Sequence, residues 1–275
     1  MINNKIAFIG GGNMAKAIAG GLLRGGMHAT NIFISTPKEK QCEALREEFY
    51  GAYVSTDNKK ISDAAEIILF AVKPQILKSV CKELKDNIQK SKPLIISIAA
   101  GPNIEDIDAW LGGNMTIVRV MPNQPAVIDQ GISALYANDR TQPKNRLLAE
   151  KIMSTVGKAI WLEEESQMDA VTAISGTGPA YFYLLIDIMI DAAIKNGMSA
   201  EIARDLAVET ARGASALSAS SEETMASMIE RVRSPGGTTM AAFEYLDSKE
   251  ARKIFTEAID VARKRAQELA NEAKQ

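Results

Sequence analysis

Two hydrophobic periods divide the chain. Up to Glu163, short apolar runs alternate with segments of helical period. Ile6–Ile9, Ile32–Ile34, Ile67–Val72, Leu94–Ile98 and Ile117–Val120 read as strands, with helices over Met14–Leu23, Lys38–Phe49, Gln75–Ile88 and Ile104–Trp110 between them. Strands that are apolar throughout need cover on both faces, so this rhythm predicts a parallel, doubly wound sheet. Two further strands, Ile132–Tyr136 and Ala159–Leu162, flank a helix over Lys144–Val156 and extend the sheet edge. From Ser166 onward strand signals stop and Ala-, Met- and Glu-rich helical periods take over.

In this second part Pro179 starts a long helix closed by Asn196-Gly197. Ser199 caps a helix running to Ser218, Ser221 a shorter one through Arg231, and Ser248 a last one to about Ala270. Aromatic residues are too few here to fill a core of their own, which favours burial against a second copy. An Ala-rich close-packed bundle has the same composition.

Composition narrows the partners. With 275 residues and 46% hydrophobic content the chain can bury a large core and form two domains. Lys plus Arg number 32 against 34 Asp plus Glu, which gives no electrostatic footprint for nucleic acid or an anionic membrane. The run Ala180–Met189 is short for a membrane span and contains Asp187, and a strand beginning at Lys5 leaves no room for a leader, so a cytoplasmic location is expected. Cys42 and Cys81 have no metal-ligand spacing, and no metal site is expected.

The chemistry begins at the first strand, which runs into Gly10-x-Gly12-x-x-Ala15 and a helix. Gly10 permits a tight turn, Gly12 lets a pyrophosphate reach the backbone amides of Asn13 and Met14, and Ala15 lets helix and strand pack closely. The first domain, 1–163, therefore reads as a Rossmann-type dinucleotide-binding fold, followed by an all-α domain over 164–275. After the second strand an NAD site usually places an acid on the ribose. Here stand Ser35, Thr36, Pro37 and Lys38, two hydroxyls and a cation that suit a 2′-phosphate, so NADP(H) is expected, with NAD(H) left open by Glu39. Lys38 and Lys40 are equally readable as solvated helix charges.

Ala71-Val72-Lys73-Pro74 and Ala99-Ala100-Gly101 follow two later strands, where open sheets bind ligands. Pro74 keeps Lys73 extended and pointed across the crevice, and the small step at 99–101 could admit a flat ring. Asn123, between Pro122 and Pro125, adds an amide at the same edge, or is part of a loop shaped by its prolines. In the second domain Ser234-Pro235-Gly236-Gly237-Thr238-Thr239 is a helix start with Ser as N-cap and Pro at the first turn. Its glycines expose backbone amides and its threonines add hydroxyls, which together make an anion seat.

Taken together, Gly10–Ala15, Ala71–Gln75, Ser97–Gly101, Arg119–Asn123, Ser175–Tyr181 and Ser234–Thr239 resemble Δ1-pyrroline-5-carboxylate reductases, essentially end to end. The resemblance implies NAD(P)H-dependent reduction of a cyclic C=N bond to L-proline, the last step of proline biosynthesis. It also implies a homodimer through the helical domain, in many members assembled into rings. By the same resemblance Ser234, Gly236, Gly237, Thr238 and Thr239 seat the substrate carboxylate, and Thr239 hydrogen-bonds the ring nitrogen. Glu222 lies at the family position near that nitrogen, and is equally a first-turn helix acid. Ser35–Lys38 and Asn58 match the region that meets the adenosine 2′-phosphate. Ser175–Pro179 reads as a shaped loop and helix start.

A dehydrogenase that works through a histidine, or through a lysine of its second domain, finds no residue in place. The sole histidine, His28, precedes the second strand, away from the crevice, and Asp187 and Asp191 read as the polar side of a long helix. Lys195, at a helix end, is the only lysine from Glu163 to Asp247, which argues against the lysine-based mechanism.

Overall fold

The computed structural model describes residues 2–63 and 65–272. The first strand, β1 (Ile6–Ile9), leads through the glycine turn into α1 (Asn13–Arg24), and β2 (Ile32–Ser35) into α2 (Glu39–Glu48). A short strand β3 (Tyr53–Ser55) and α3 (Asn58–Asp63) precede β4 (Ile67–Phe70), α4 (Pro74–Ser91), β5 (Leu94–Ser97) and α5 (Ile104–Trp110). Then come β6 (Thr116–Met121), β7 (Gly131–Ala137), α6 (Pro143–Met153) and β8 (Gly157–Trp161).

These strands form one sheet in the order β3-β2-β1-β4-β5-β6-β7-β8. Only β6 and β7 pair antiparallel among the pairings of described residues. The order reverses beside β1, which puts the crevice between the carboxyl ends of β1 and β4. Alternation in β1 explains the double winding. Ile6 and Phe8 join a core with Ile32, Ile34, Ile18, Leu22 and Ile152 on one face, while Ala7 and Ile9 join another with Ile68, Phe70, Leu77 and Ile107. The strand β3 and helix α3 were not expected. Tyr53–Ser55 is three residues long with one buried side chain, too short to show a period.

The helices continue as α7 (Met168–Val171), α8 (Gly178–Lys195), α9 (Ala200–Ser220), α10 (Met225–Val232), α11 (Thr238–Ser248) and α12 (Ala251–Glu272). Two compact units result. One holds the described residues of Met1–Gly176 and Ala262–Gln275, and the other holds Thr177–Val261. The division thus falls at 176/177, later than the expected 163/164 boundary, and the end of α12 also clusters with the sheet. Ser199 caps α9 as expected, accepting from the Ile202 amide.

Three local expectations are corrected. Ser221 does not start α10: its hydroxyl accepts the Glu223 amide in a turn, and Thr224 is the cap, accepting from Ser227. Ser248 ends α11, its hydroxyl donating to the Tyr245 carbonyl, and Glu250 at φ 52 redirects the chain into α12. Residues 172–176 are not a loop. They form a π-helical turn leading into α8, a feature frequent at functional sites. With it the helical run 165–195 is long and apolar enough by composition to cross a membrane, though it carries little burial within the described residues.

Candidate active site

The glycine turn is held by the sheet. The Gly10 amide donates to the Ser35 carbonyl at 3.0 Å, and Gly10 has φ +106. A Cβ there would lie 2.5 Å from the Ala71 carbonyl oxygen, so Gly10 is demanded by packing of β1 against the end of β4. Gly12 differs. It adopts an ordinary φ of −77 as the N-cap of α1, and a Cβ there would meet nothing within 4 Å. Nothing inside the fold requires glycine at this position, so the open space beside it is available to a ligand. Helix α1 has no side-chain cap and no acid in its first turn, which leaves the amides of Asn13, Met14 and Ala15 to an anion. The residues fit a dinucleotide pyrophosphate.

The β2 edge is built differently from expectation. Ser35 is fully buried and its hydroxyl donates to the Phe8 carbonyl at 3.4 Å, and Thr36, 3% exposed, donates its hydroxyl to Gln41. Both hydroxyls are spent inside the protein, because the strand end is covered on both faces. Lys38 stays exposed as the N-cap of α2 and is the cation this edge offers a 2′-phosphate. Asn58 opens α3 and donates to Glu83 at 3.2 Å. Gln41, missed in the sequence, also donates to the Gly11 carbonyl at 2.9 Å.

Lys73 is the extended N-cap of α4, at φ −61 and ψ 143, with Pro74 in the first turn, and its side chain is exposed. Ala71 and Val72 are half-buried beside Gly10. The small step is used mainly by the protein itself. Ala99 is buried in the core, and a Cβ on Gly101, φ +104, would lie 3.3 Å from the backbone of Ala270 in α12. Only Ala100 of the three is partly open. The Gly101 carbonyl accepts from Arg119, whose side chain also meets Glu165 at 3.0 Å, a buried pair sequence reasoning did not find. Asn123 accepts the Ile132 amide at 2.9 Å and thereby shapes the link from β6 to β7.

In the other unit, Ser234–Gly237 is a reverse turn closed by the Gly237 amide donating to the Ser234 carbonyl at 2.9 Å. Pro235 at its second position and Gly236 at φ +71 in its third give it type II character. Ser234 is therefore not the N-cap. Gly237 is, and Thr238 and Thr239 are the first two residues of α11. No side chain caps α11, and among the described residues the hydroxyls of Ser234, Thr238 and Thr239 have no protein partner. The uncapped amides of the first turn and these hydroxyls are the groups an anion seat would need. Glu222 is exposed in the link between α9 and α10, ahead of the helix and not in its first turn.

The remaining candidates lie apart. His28 precedes β2 on the surface, Lys195 ends α8 exposed, and no cluster among the described residues could hold a metal. Both cysteines are buried, and burial pushes the Cys81 thiol up to about 12.

Comparison with known proteins gives one match in the N-terminal part of the chain and one in the C-terminal part. Residues 165–269 match the family model described as pyrroline-5-carboxylate reductase dimerisation, and residues 5–101 that described as NADP oxidoreductase coenzyme F420-dependent. A pyrroline-5-carboxylate reductase of Pseudomonas aeruginosa is 42% identical over 99% of this chain and 99% of its own. The chain belongs to the pyrroline-5-carboxylate reductase family. A family structure from Coxiella burnetii is 36% identical and superposes with a TM-score of 0.90 over 98% of this chain and 99% of that one. The Plasmodium falciparum pyrroline carboxylate reductase, solved with NADP bound, is 30% identical with a TM-score of 0.88, covering 98% of this chain and 99% of that one.

Proposed function

We propose that this protein reduces 1-pyrroline-5-carboxylate to L-proline with NADPH, the last step of proline biosynthesis. The observation that carries the reading is the end-to-end likeness to the Pseudomonas aeruginosa reductase. The geometry supports it. The substrate has one carboxylate and a ring C=N bond, and reduction adds a hydride to the carbon and a proton to the nitrogen.

NADPH, when bound, supplies the hydride. The free amides at Asn13–Ala15 and the open space at Gly12 hold its pyrophosphate, Lys38 meets its 2′-phosphate, and Ala71–Pro74 and Ala100 flank its path along the sheet edge. The amides of Gly237, Thr238 and Thr239 bind the substrate carboxylate at the positive end of α11. Thr239 is half-buried and orients the ring nitrogen through its hydroxyl. An unperturbed hydroxyl is a weak acid, so its part is to position the imine or a water that delivers the proton. Fixing both partners removes much of the entropic barrier to hydride transfer. Glu222 is proposed to favour the protonated imine electrostatically.

The helical unit acts as a homodimer module in this reading. Apart from Gly178, no residue of α8 is buried, and Phe182, Leu184, Leu185 and Ile188 are exposed on it, an apolar surface that a monomer would leave to water. Assembly of dimers into a ring, a cytoplasmic location, and independence from nucleic acid and membrane complete the proposal.

The test is direct: purified protein with NADPH and pyrroline-5-carboxylate should consume NADPH and form proline, and no proline would sink the assignment. Thr239→Ala should lower kcat while leaving NADPH affinity unchanged. An unaltered rate removes Thr239 from the chemistry.

A further inference from the structure

Arg233 stands immediately before the Ser234–Gly237 turn, in the C-cap position of α10, and its side chain joins both helices that the turn connects. One Nη donates to Glu230 on α10 at 2.8 Å and the other lies 3.6 Å from Asp247 on α11. The guanidinium also sits 5.0 Å from the centre of the Phe243 ring, one helical turn before Asp247. A planar fork that stacks and pairs in two directions fixes an angle in a way a flexible ammonium does not.

Its energetics are unusual for a purely stabilising group. The Arg233 side chain is 18% exposed while its partners Glu230 and Asp247 are 66% and 69% exposed, so the ion pairs are largely solvated and weak. Its Nε is buried with no hydrogen-bond partner, a cost that an apolar side chain of similar length would not carry. A residue kept for stability alone would not leave that donor orphaned.

We propose that Arg233 is a positioning residue for the substrate: it holds the first amides of α11 in the orientation that receives the carboxylate. This rests on the reading of Ser234–Thr239 as the carboxylate seat. Arg233 does not touch the substrate. It acts by setting the direction of α11 relative to α10, with the turn as the hinge between them.

The experiment compares wild type with Arg233→Met, which keeps the apolar contact with Phe243, and with Arg233→Lys. Arg233→Met should raise KM for pyrroline-5-carboxylate about tenfold, with KM for NADPH unchanged and melting temperature equal or higher. Arg233→Lys should recover part of the loss through a single ion pair. Amide exchange over residues 234–241, which needs no turnover, should quicken in Arg233→Met. An active Arg233→Met enzyme with wild-type KM overturns the proposal. So does a variant in which both KM values and the melting temperature deteriorate together, since that marks a general structural role. A wild type without turnover would instead refute the reading of the seat, while the exchange measurement still tests whether Arg233 orders the turn.

Discussion

The Gln41 amide donates to the Gly11 carbonyl at 2.9 Å while its oxygen accepts the Thr36 hydroxyl. One side chain on the first turn of α2 thereby braces the glycine turn against the end of β2, the two places a dinucleotide would bridge from pyrophosphate to 2′-phosphate. Gln41→Leu removes both bonds, and loss of this preorganisation should weaken NADPH binding by about tenfold. Fluorescence titration of the dinucleotide measures it without any turnover. An unchanged dissociation constant would mean the brace serves the fold alone.

The two outer glycines of the same turn should fail in different ways. Gly10→Ala forces a Cβ to within 2.5 Å of the Ala71 carbonyl and strains a backbone at φ +106, so the protein should lose stability by about 1–2 kcal/mol or more. Gly12→Ala meets no atom within 4 Å and should fold with a wild-type melting temperature. It should nevertheless bind NADPH poorly, because the methyl group fills the space kept for phosphate. Tight binding by Gly12→Ala would move the phosphate seat elsewhere.

That contrast also marks what the sequence discloses. The strand-glycine-helix order was legible because each residue obeys a local rule, and so was the double winding, since β1 and β4 are apolar at every position. Side-chain bonds between distant segments were not. Ser35 and Thr36 offer hydroxyls on paper, but only the folded sheet turns one toward the Phe8 carbonyl and the other toward Gln41. Helix starts were ambiguous for a related reason: Ser221 and Thr224 carry the same capping chemistry three residues apart, and in the structure Thr224 caps the helix while Ser221 closes the turn before it. The role of Gly101 depends on Ala270, far along the chain, and no local signal announces it.

Arg119 and Glu165 form a second long-range element. Arg119 has a side chain 7% exposed, and Glu165 also accepts the Ile104 amide at 2.8 Å. Glu165→Leu leaves the guanidinium buried with the Gly101 carbonyl as its remaining hydrogen-bond partner, and should destabilise the protein by about 3 kcal/mol. Arg119→Met with Glu165→Leu should recover much of that loss in chemical denaturation. A single variant as stable as wild type would show the pair to be dispensable.

Burial raises the Cys81 thiol from 9.0 to about 12, and this predicts an alkaline effect of definite sign. Well below pH 9.0 the thiol is protonated both folded and unfolded and contributes no pH dependence. Above it the unfolded chain ionises first and binds fewer protons than the native state, so stability falls as pH rises toward 12. Wild type measured against Cys81→Ala should lose up to about 1.4 kcal/mol per pH unit in that window. Equal slopes for the two proteins would place Cys81 in a wetter site.

The last helix has a consequence in time. Residues of α12 from Ala262 belong to the compact unit of the sheet, yet they are synthesised after the whole of Thr177–Val261. At about 5–20 residues per second, the strands of the dinucleotide unit wait for several seconds, at least, before the segment that packs on Gly101 leaves the ribosome. The unit that would bind NADPH is therefore completed last, although most of it is made first.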